Sequence, residues 1–170
     1  MPDKKTIERA KKDKEQGKSA STQAGEFVRE EIHKVRRGEH GARSPQQAIA
    51  IGLSQARRAG VDLPPPRKGQ VKERTRRSAK RAYEAGQHMR KPARRPRISK
   101  AVTSVLKREP TASVSARKLS TQAKEAARRR SPAARSAAAH KAAQTKGKRG
   151  RSAAARKAAK TLVRHRRRKA

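Results

Sequence analysis

Five histidines and thirteen carboxylates are the groups in this 170-residue chain that could ligate a metal or move a proton. His33, Glu39 and His40 lie close in sequence, but they straddle a Gly-containing loop and follow no regular ligand pattern, so surface histidines are expected rather than a metal centre. Glu26, Glu30 and Glu31 could be paired carboxylates for acid–base work. At their spacing they more simply support helix pairing, as Glu30 with Lys34 at i,i+4. The chain has no cysteine, which excludes disulfides, thiolate metal sites and a catalytic thiol. No activated nucleophile and no phosphate-cradling Gly-rich motif is present. The expectation is a protein that is not an enzyme, with no cofactor and no metal.

The chemistry that remains is cationic. Lys and Arg number 50 against 13 Asp and Glu, a formal charge of +37. Residues 64–170 carry +32 of it, and residues 126–170 contain no acidic residue. From Ser120 to Thr161 there is no Val, Ile, Leu, Met, Phe, Tyr or Trp. Within that stretch the phrase 135–145 recurs at 151–161 with two changes, His140 to Arg156 and Gln144 to Lys160. Ordering each residue costs about 1–2 kcal/mol of backbone entropy, which alanine burial alone does not offset. Such a segment has high helix propensity but no core, and presents cations to a polyanion. The residues expected to contact phosphate are Arg76, Arg77, Lys80 and Arg81, then Arg128, Arg129, Arg130, Arg135, Lys141, Lys148, Arg149 and Arg151. Arg156, Lys157, Lys160, Arg164, Arg166, Arg167 and Arg168 complete the set.

One Phe, one Tyr and no Trp leave almost nothing on which bases could stack. That favours backbone contacts with duplex DNA, non-specific in sequence, with an RNA- or ribosome-associated role as the alternative. A third reading is an interaction protein whose helices dock a partner. No run is apolar enough to span a bilayer and the tail lacks an apolar face, so no membrane partner is expected. The N-terminus has no hydrophobic signal segment, and Asp3, Glu8, Asp13 and Glu15 argue against a presequence, so a cytoplasmic, nucleoid-associated protein is expected.

The elements that must position these cations read as all-α, a small helical hairpin or three-helix module followed by a largely disordered, helix-capable basic tail. Residues 1–20 form a charged N-terminal arm, a marginal helix ending at Gly17. Residues 21–63 read as an α-hairpin. Ser21 or Thr22 caps a helix carrying Ala24, Phe27, Val28, Ile32 and Val35, stopped by Gly38. After a loop at 38–43, Ser44, Pro45 and Gln47 announce a second helix by a capping box with Pro at its first position. Gly60 and Val61 close it. Gly52 at its middle predicts a close helix–helix contact, and Phe27, Ile32, Ile49 and Leu53 a core. The six-residue loop is too long for the usual helix-turn-helix, which argues against sequence-specific readout. Residues 64–90 are a Pro spacer and a basic helix over about 71–85, and 91–170 the tail, with a short helix at about 99–107 and, from Ser115 on, helix-capable segments bounded by Ser131-Pro132, Gly147 and Gly150 and capped by Ser131 and Ser152. The favoured closure brings Val71 and Tyr83 near Phe27 or Leu53; the alternative is a homodimer through the hairpin.

The stretch STQAGEFVREEIHKVRRGEHGARSPQQAIAIGLSQARRAGVDLPPP, residues 21–66, resembles an uncharacterised family of small basic bacterial proteins that form a domain of unknown function. Similarity continues through ERTRRSAKRAYEAGQ, residues 73–87. Members are labelled only as DNA-binding, so the resemblance implies a bacterial setting and nucleic-acid binding and transfers no site residue. The Ala/Lys/Arg repeats are similar in composition to the tails of linker histones and of histone-like bacterial proteins. They depart from the repeated Ser-Pro-Lys-Lys of the former, since only Ser131-Pro132 is present.

Overall fold

A computed structural model describes residues 3–89 and 96–167, without the side chains at 145, 146, 149, 162 and 164–167. All regular structure among the described residues is helical: α1 Lys4–Glu15, α2 Ala20–Arg36, α3 Pro45–Arg58, α4 Glu73–Gly86, α5 Pro96–Arg108, a 3-10 turn Thr111–Val114, α6 Ala116–Arg128 and α7 Pro132–Arg167. The chain divides into two units, residues 1–122 and 123–170.

Helix boundaries follow local chemistry. The Asp3 carboxylate accepts from the Lys5 N–H at 3.0 Å and starts α1. α2 begins earlier than its hydroxyl pattern suggested. Ser19, in extended backbone, is its N-cap, while Ser21 and Thr22 lie inside the first turn with their hydroxyls 3.0 Å from that of Ser19. Gly38, at φ 77°, ends the hairpin's first helix as the sequence requires. Ser44 Oγ accepts from the Gln47 N–H at 3.2 Å, and Gln47 Oε1 in return accepts from the N–H of Arg43, one residue before the expected partner. At the other end Gly60 adopts φ 86° and the Val61 N–H reaches the Ala56 carbonyl at 3.1 Å, folding the buried Val61 onto α3.

The apolar interior of the first unit is in two pieces. At the open end of the hairpin, Phe27, Ala24, Ala56 and Val61 pack with Ala10, with Ile7, Leu53 and Leu63 at the margin. The partner that covers Phe27 is therefore α1, the segment whose charge made it look like a loose arm. One turn-and-a-half of small and apolar residues, Thr6, Ile7 and Ala10, suffices because Thr6 and Ala10 are small enough to let α1 sit close to α2. At the loop end, Val35, Ala42 and Ala48 pack with Val114, with Ile32 and Leu119 beside them. Val114 is wholly buried although it belongs to the stretch read as the start of the tail. Its 3-10 turn is held by the Arg36 Nε–H, which donates to the Val114 carbonyl at 3.2 Å, and the Gly41 N–H donates to the Leu106 carbonyl at 2.8 Å. Phe27 is a core residue as expected, whereas Ile32, Ile49 and Leu53 are half-buried.

α4 packs on α3 through Ala79, Ala82 and Gly86, not through the larger residues of its sequence. Val71 is exposed, and Tyr83 turns its hydroxyl to donate to the Asp62 carboxylate at 2.7 Å instead of entering the core beside Phe27. The reason is proximity: a Cβ at Gly86 would run into the Arg57 carbonyl, so the helices meet too closely for an aromatic ring between them. Buried Arg57 fixes the spacer, donating to the carbonyls of Leu63 at 3.0 Å and Pro64 at 3.4 Å.

Gly52 lies where α2 and α3 approach, as its mid-helix position predicted. A Cβ there would sit 2.6 Å from the Val28 Cα, a backbone atom that cannot step aside. Gly52→Ala should therefore destabilise the unit by about 1–3 kcal/mol. On an open helix the same change would stabilise it by about 1 kcal/mol, so the sign of the shift in a urea melt tests the contact.

Candidate nucleic-acid interface

Glu26 and Glu30 are occupied in holding the first unit together. Glu26 accepts from Arg9 at 2.8 Å and from Arg29 at 2.9 Å. Glu30 pairs with Arg37 at 3.0 Å and Arg9 at 3.6 Å rather than with Lys34, and the Arg37 hydrogen bond lowers its pKa. Arg9 thus ties α1 to α2 across their polar edge. These carboxylates are cross-braces of the hairpin, and their partners are cations withdrawn from any external anion.

His40 and Glu31 also behave differently from their sequence reading. Glu31 is buried to 1% exposure, and His40 Nε2 lies 3.3 Å from its Oε1, so His40 is not a free surface histidine. The other carboxylate oxygen accepts from the Gln55 amide at 2.9 Å. Burial, opposed by His40, raises the Glu31 pKa. No cluster of three potential metal ligands occurs among the described residues.

α4 is the first basic surface. Arg76 forms a two-pronged pair with Glu73, both contacts at 2.9 Å. Arg77 lies 3.7 Å from the same carboxylate, and Lys80 lies 3.7 Å from Glu84. Of the four α4 residues expected to contact phosphate, only Arg81 pairs with no carboxylate among the described residues. Arg74 is equally exposed and equally unpaired, and sequence reasoning left it out of the site. Its spacing was the signal: Arg74, Arg77 and Arg81 at i, i+3 and i+7 share one helical face. Exposed Arg117 and Lys118 at the start of α6 were also passed over.

The second unit presents its cations without a core. α7 contains no buried residue among those whose side chains are described. Ser131 caps it, its Oγ accepting from the Ala134 N–H at 3.2 Å. Arg128, Arg129, Arg130, Arg135, Lys141, Lys148, Arg151, Arg156, Lys157 and Lys160 are all exposed. Arg149, Arg164, Arg166 and Arg167 are in the helix but their side chains lie outside the described residues, as does Arg168 altogether. Ser152 does not start a helix. Helical backbone continues through Gly150, because a glycine inside a helix costs only about 1 kcal/mol relative to alanine. The break falls at Gly147, with φ 61° and ψ 176°. No helix among the described residues is long and apolar enough to cross a membrane.

No curated protein and no solved structure matches the chain. Residues 4–68, which span α1, the hairpin and the Pro spacer but neither α4 nor the basic tail, match a family of unknown function, DUF6496.

Proposed function

We propose that this protein is an architectural DNA-binding protein of the bacterial nucleoid, acting without sequence specificity through phosphate contacts of its basic tail. The observation that carries this reading is the run 126–170, which has no carboxylate and whose cations, where their side chains are described, stand exposed. A solubility device would mix charges of both signs, whereas an unrelieved cationic run is suited to displacing counterions from a phosphate backbone. Residues 1–122 act as a compact anchor, and the Arg74–Arg77–Arg81 face of α4 adds a secondary contact. In the free protein the tail is largely disordered, since closely spaced Lys and Arg repel one another along a helix, and duplex phosphates relieve that repulsion.

The test is binding to duplex across a salt series. With about ten phosphates neutralised, log K falls against log salt with a slope near −9. Deleting residues 126–170 should flatten that slope. A site that survives excess random duplex would overturn the non-specific reading, and preference for structured RNA over duplex DNA would transfer the function to RNA association.

A further inference from the structure

α5 stands apart from the helices that build the core of the first unit, and none of its residues is buried. Its C-terminal end is tied down: the Leu106 carbonyl accepts from the Gly41 N–H at 2.8 Å, and Glu109, just beyond the helix, pairs with Arg43 at 3.3 Å. The rest of its surface is open and sorted by polarity. At about 100° per residue, Ala101, Val105, Ile98, Val102 and Leu106 fall within an arc of about 140°. Ile98 is 53% exposed, Val102 52% and Val105 53%, an unpartnered stripe at i, i+4 and i+7. Arg97 and Arg108 border the arc beside Ala101, with Lys100 and Lys107 behind them. None of these four cations pairs with a carboxylate among the described residues, and residues 90–108 contain no Asp or Glu.

What covers such a face must be apolar beneath it and anionic at its edge. A second copy is apolar but brings the same four cations to the seam, and three half-exposed side chains fall far short of the about 800 Å² that each partner of a stable complex buries. Duplex DNA matches the cations but leaves the stripe in water. An anionic phospholipid surface matches both. A short helix divided between an apolar side and a Lys/Arg side lies in the plane of such a surface, with its apolar side at the acyl boundary. We infer that α5 is a membrane-surface helix, which rests on anionic phospholipid through Ile98, Val102 and Val105 while Arg97 and Arg108 reach phosphates beside them. Its 13 residues lie on the bilayer and do not span it. The inference is independent of the DNA reading, since α5 precedes the carboxylate-free run 126–170. The Ala/Lys/Arg repeats lack an apolar face; α5, ahead of them, supplies one.

The chain has no Trp, so a single introduced indole reports its own surroundings. Full-length Val102→Trp and Lys100→Trp are titrated with vesicles of phosphatidylglycerol and phosphatidylcholine in equal parts, with vesicles of phosphatidylcholine alone, and with a short DNA duplex. On the anionic vesicles alone, Val102→Trp emission should shift to the blue and be quenched by brominated acyl chains, while that of Lys100→Trp, on the opposite side of the helix, stays water-like. In a second measurement the double variant Val102→Ala, Val105→Ala keeps every charge and favours helix. It should lower affinity for the anionic vesicles roughly tenfold and leave duplex affinity unchanged. A chain this basic is drawn to an anionic vesicle by charge alone, so co-sedimentation without a shift at position 102, or with an unchanged affinity of the alanine variant, overturns the inference and leaves the stripe to a protein partner. A shift that appears without vesicles and grows with protein concentration assigns the face to a second copy, and a shift on duplex assigns it to DNA; each overturns the membrane inference. Equal shifts at positions 100 and 102 overturn it too. The hold of the tail on duplex is read separately and stands or falls on its own.

Discussion

Residues 20–87 expressed alone should not form a stable folded unit, whereas residues 1–122 should. The shorter fragment holds the whole α2–α3 hairpin and α4, and by helix pattern it looks like a sufficient three-helix module. It nonetheless lacks a wall from each half of the core. Removing α1 uncovers Phe27 and takes away Ile7 and Ala10, together with Arg9, which binds both Glu26 and Glu30. Removing residues 106–119 uncovers Val35, Ala42 and Ala48 and takes away Val114 and Leu119. It also leaves the Gly41 N–H without the Leu106 carbonyl and Arg36 without that of Val114. Burying one Val, Leu or Ile side chain is worth about 1.5–3 kcal/mol. A small domain has only about 5–15 kcal/mol in all, so losing three such residues and their covers consumes the margin. Circular dichroism melts of the two fragments decide it. A cooperative transition in 20–87 within a few degrees of that in 1–122 would show that α1 and the Val114 turn are dispensable.

The hairpin was legible because its signals are local. Gly38, Ser44-Pro45, Gly52 and Gly60 each carry a conformational preference that one residue type satisfies, and each does its expected work in the structure. What covers the hairpin was not legible, because the covering residues are few and small. Ile7 and Ala10 sit among Lys and Arg, and Val114 stands alone in a short Thr/Ser/Ala stretch, so no apolar periodicity announces them. Their burial depends on Thr6, Ala48 and Gly41 leaving room, which is a property of the assembled helices. At Gly41 even a Cβ would run into the Glu109 carbonyl. The same smallness misled the reading of α4, where Val71 and Tyr83 looked like the packing face and Ala79, Ala82 and Gly86 are. The basic surface was legible as charge but not as availability: Arg76 and Arg81 look alike in sequence, and only the structure shows Glu73 forked onto the first.

His40→Ala should destabilise the first unit by about 3–5 kcal/mol at neutral pH, far more than a partly exposed loop histidine would ordinarily cost. His40 Nδ1 lies 3.0 Å from the Gly41 carbonyl, which accepts only from an N–H, so the proton on that nitrogen is fixed. Nε2 then faces Glu31 Oε1 at 3.3 Å, and that contact is attractive only if the pair shares one further proton, as imidazolium with carboxylate or as imidazole with carboxylic acid. Gln55 from α3 satisfies the other oxygen, while Lys34 and Glu39 are the remaining charges near the carboxyl. Glu31 Oε1 accepts no hydrogen bond among the described residues even with His40 in place, and removing the imidazole takes away the ion-pair contact of a carboxyl group at 1% exposure. Leaving a buried charge uncompensated in this way is what makes breaking one half of a buried pair so costly. The double variant His40→Ala, Glu31→Gln removes the charge and should recover most of the loss. The pH dependence has a definite sign. Burial raises the folded-state pKa of Glu31 above its ordinary value of 4.5, so its contribution is most favourable below that value and is lost as pH rises through the folded-state pKa. Without His40 to oppose the burial, that pKa climbs further. The single variant should therefore regain stability relative to wild type on acidification from neutral pH toward 4.5, while the double variant should track wild type less steeply. Urea melts of the three proteins across that range measure it, and a His40→Ala variant as stable as wild type at neutral pH would mean that water reaches Glu31 once the ring is gone.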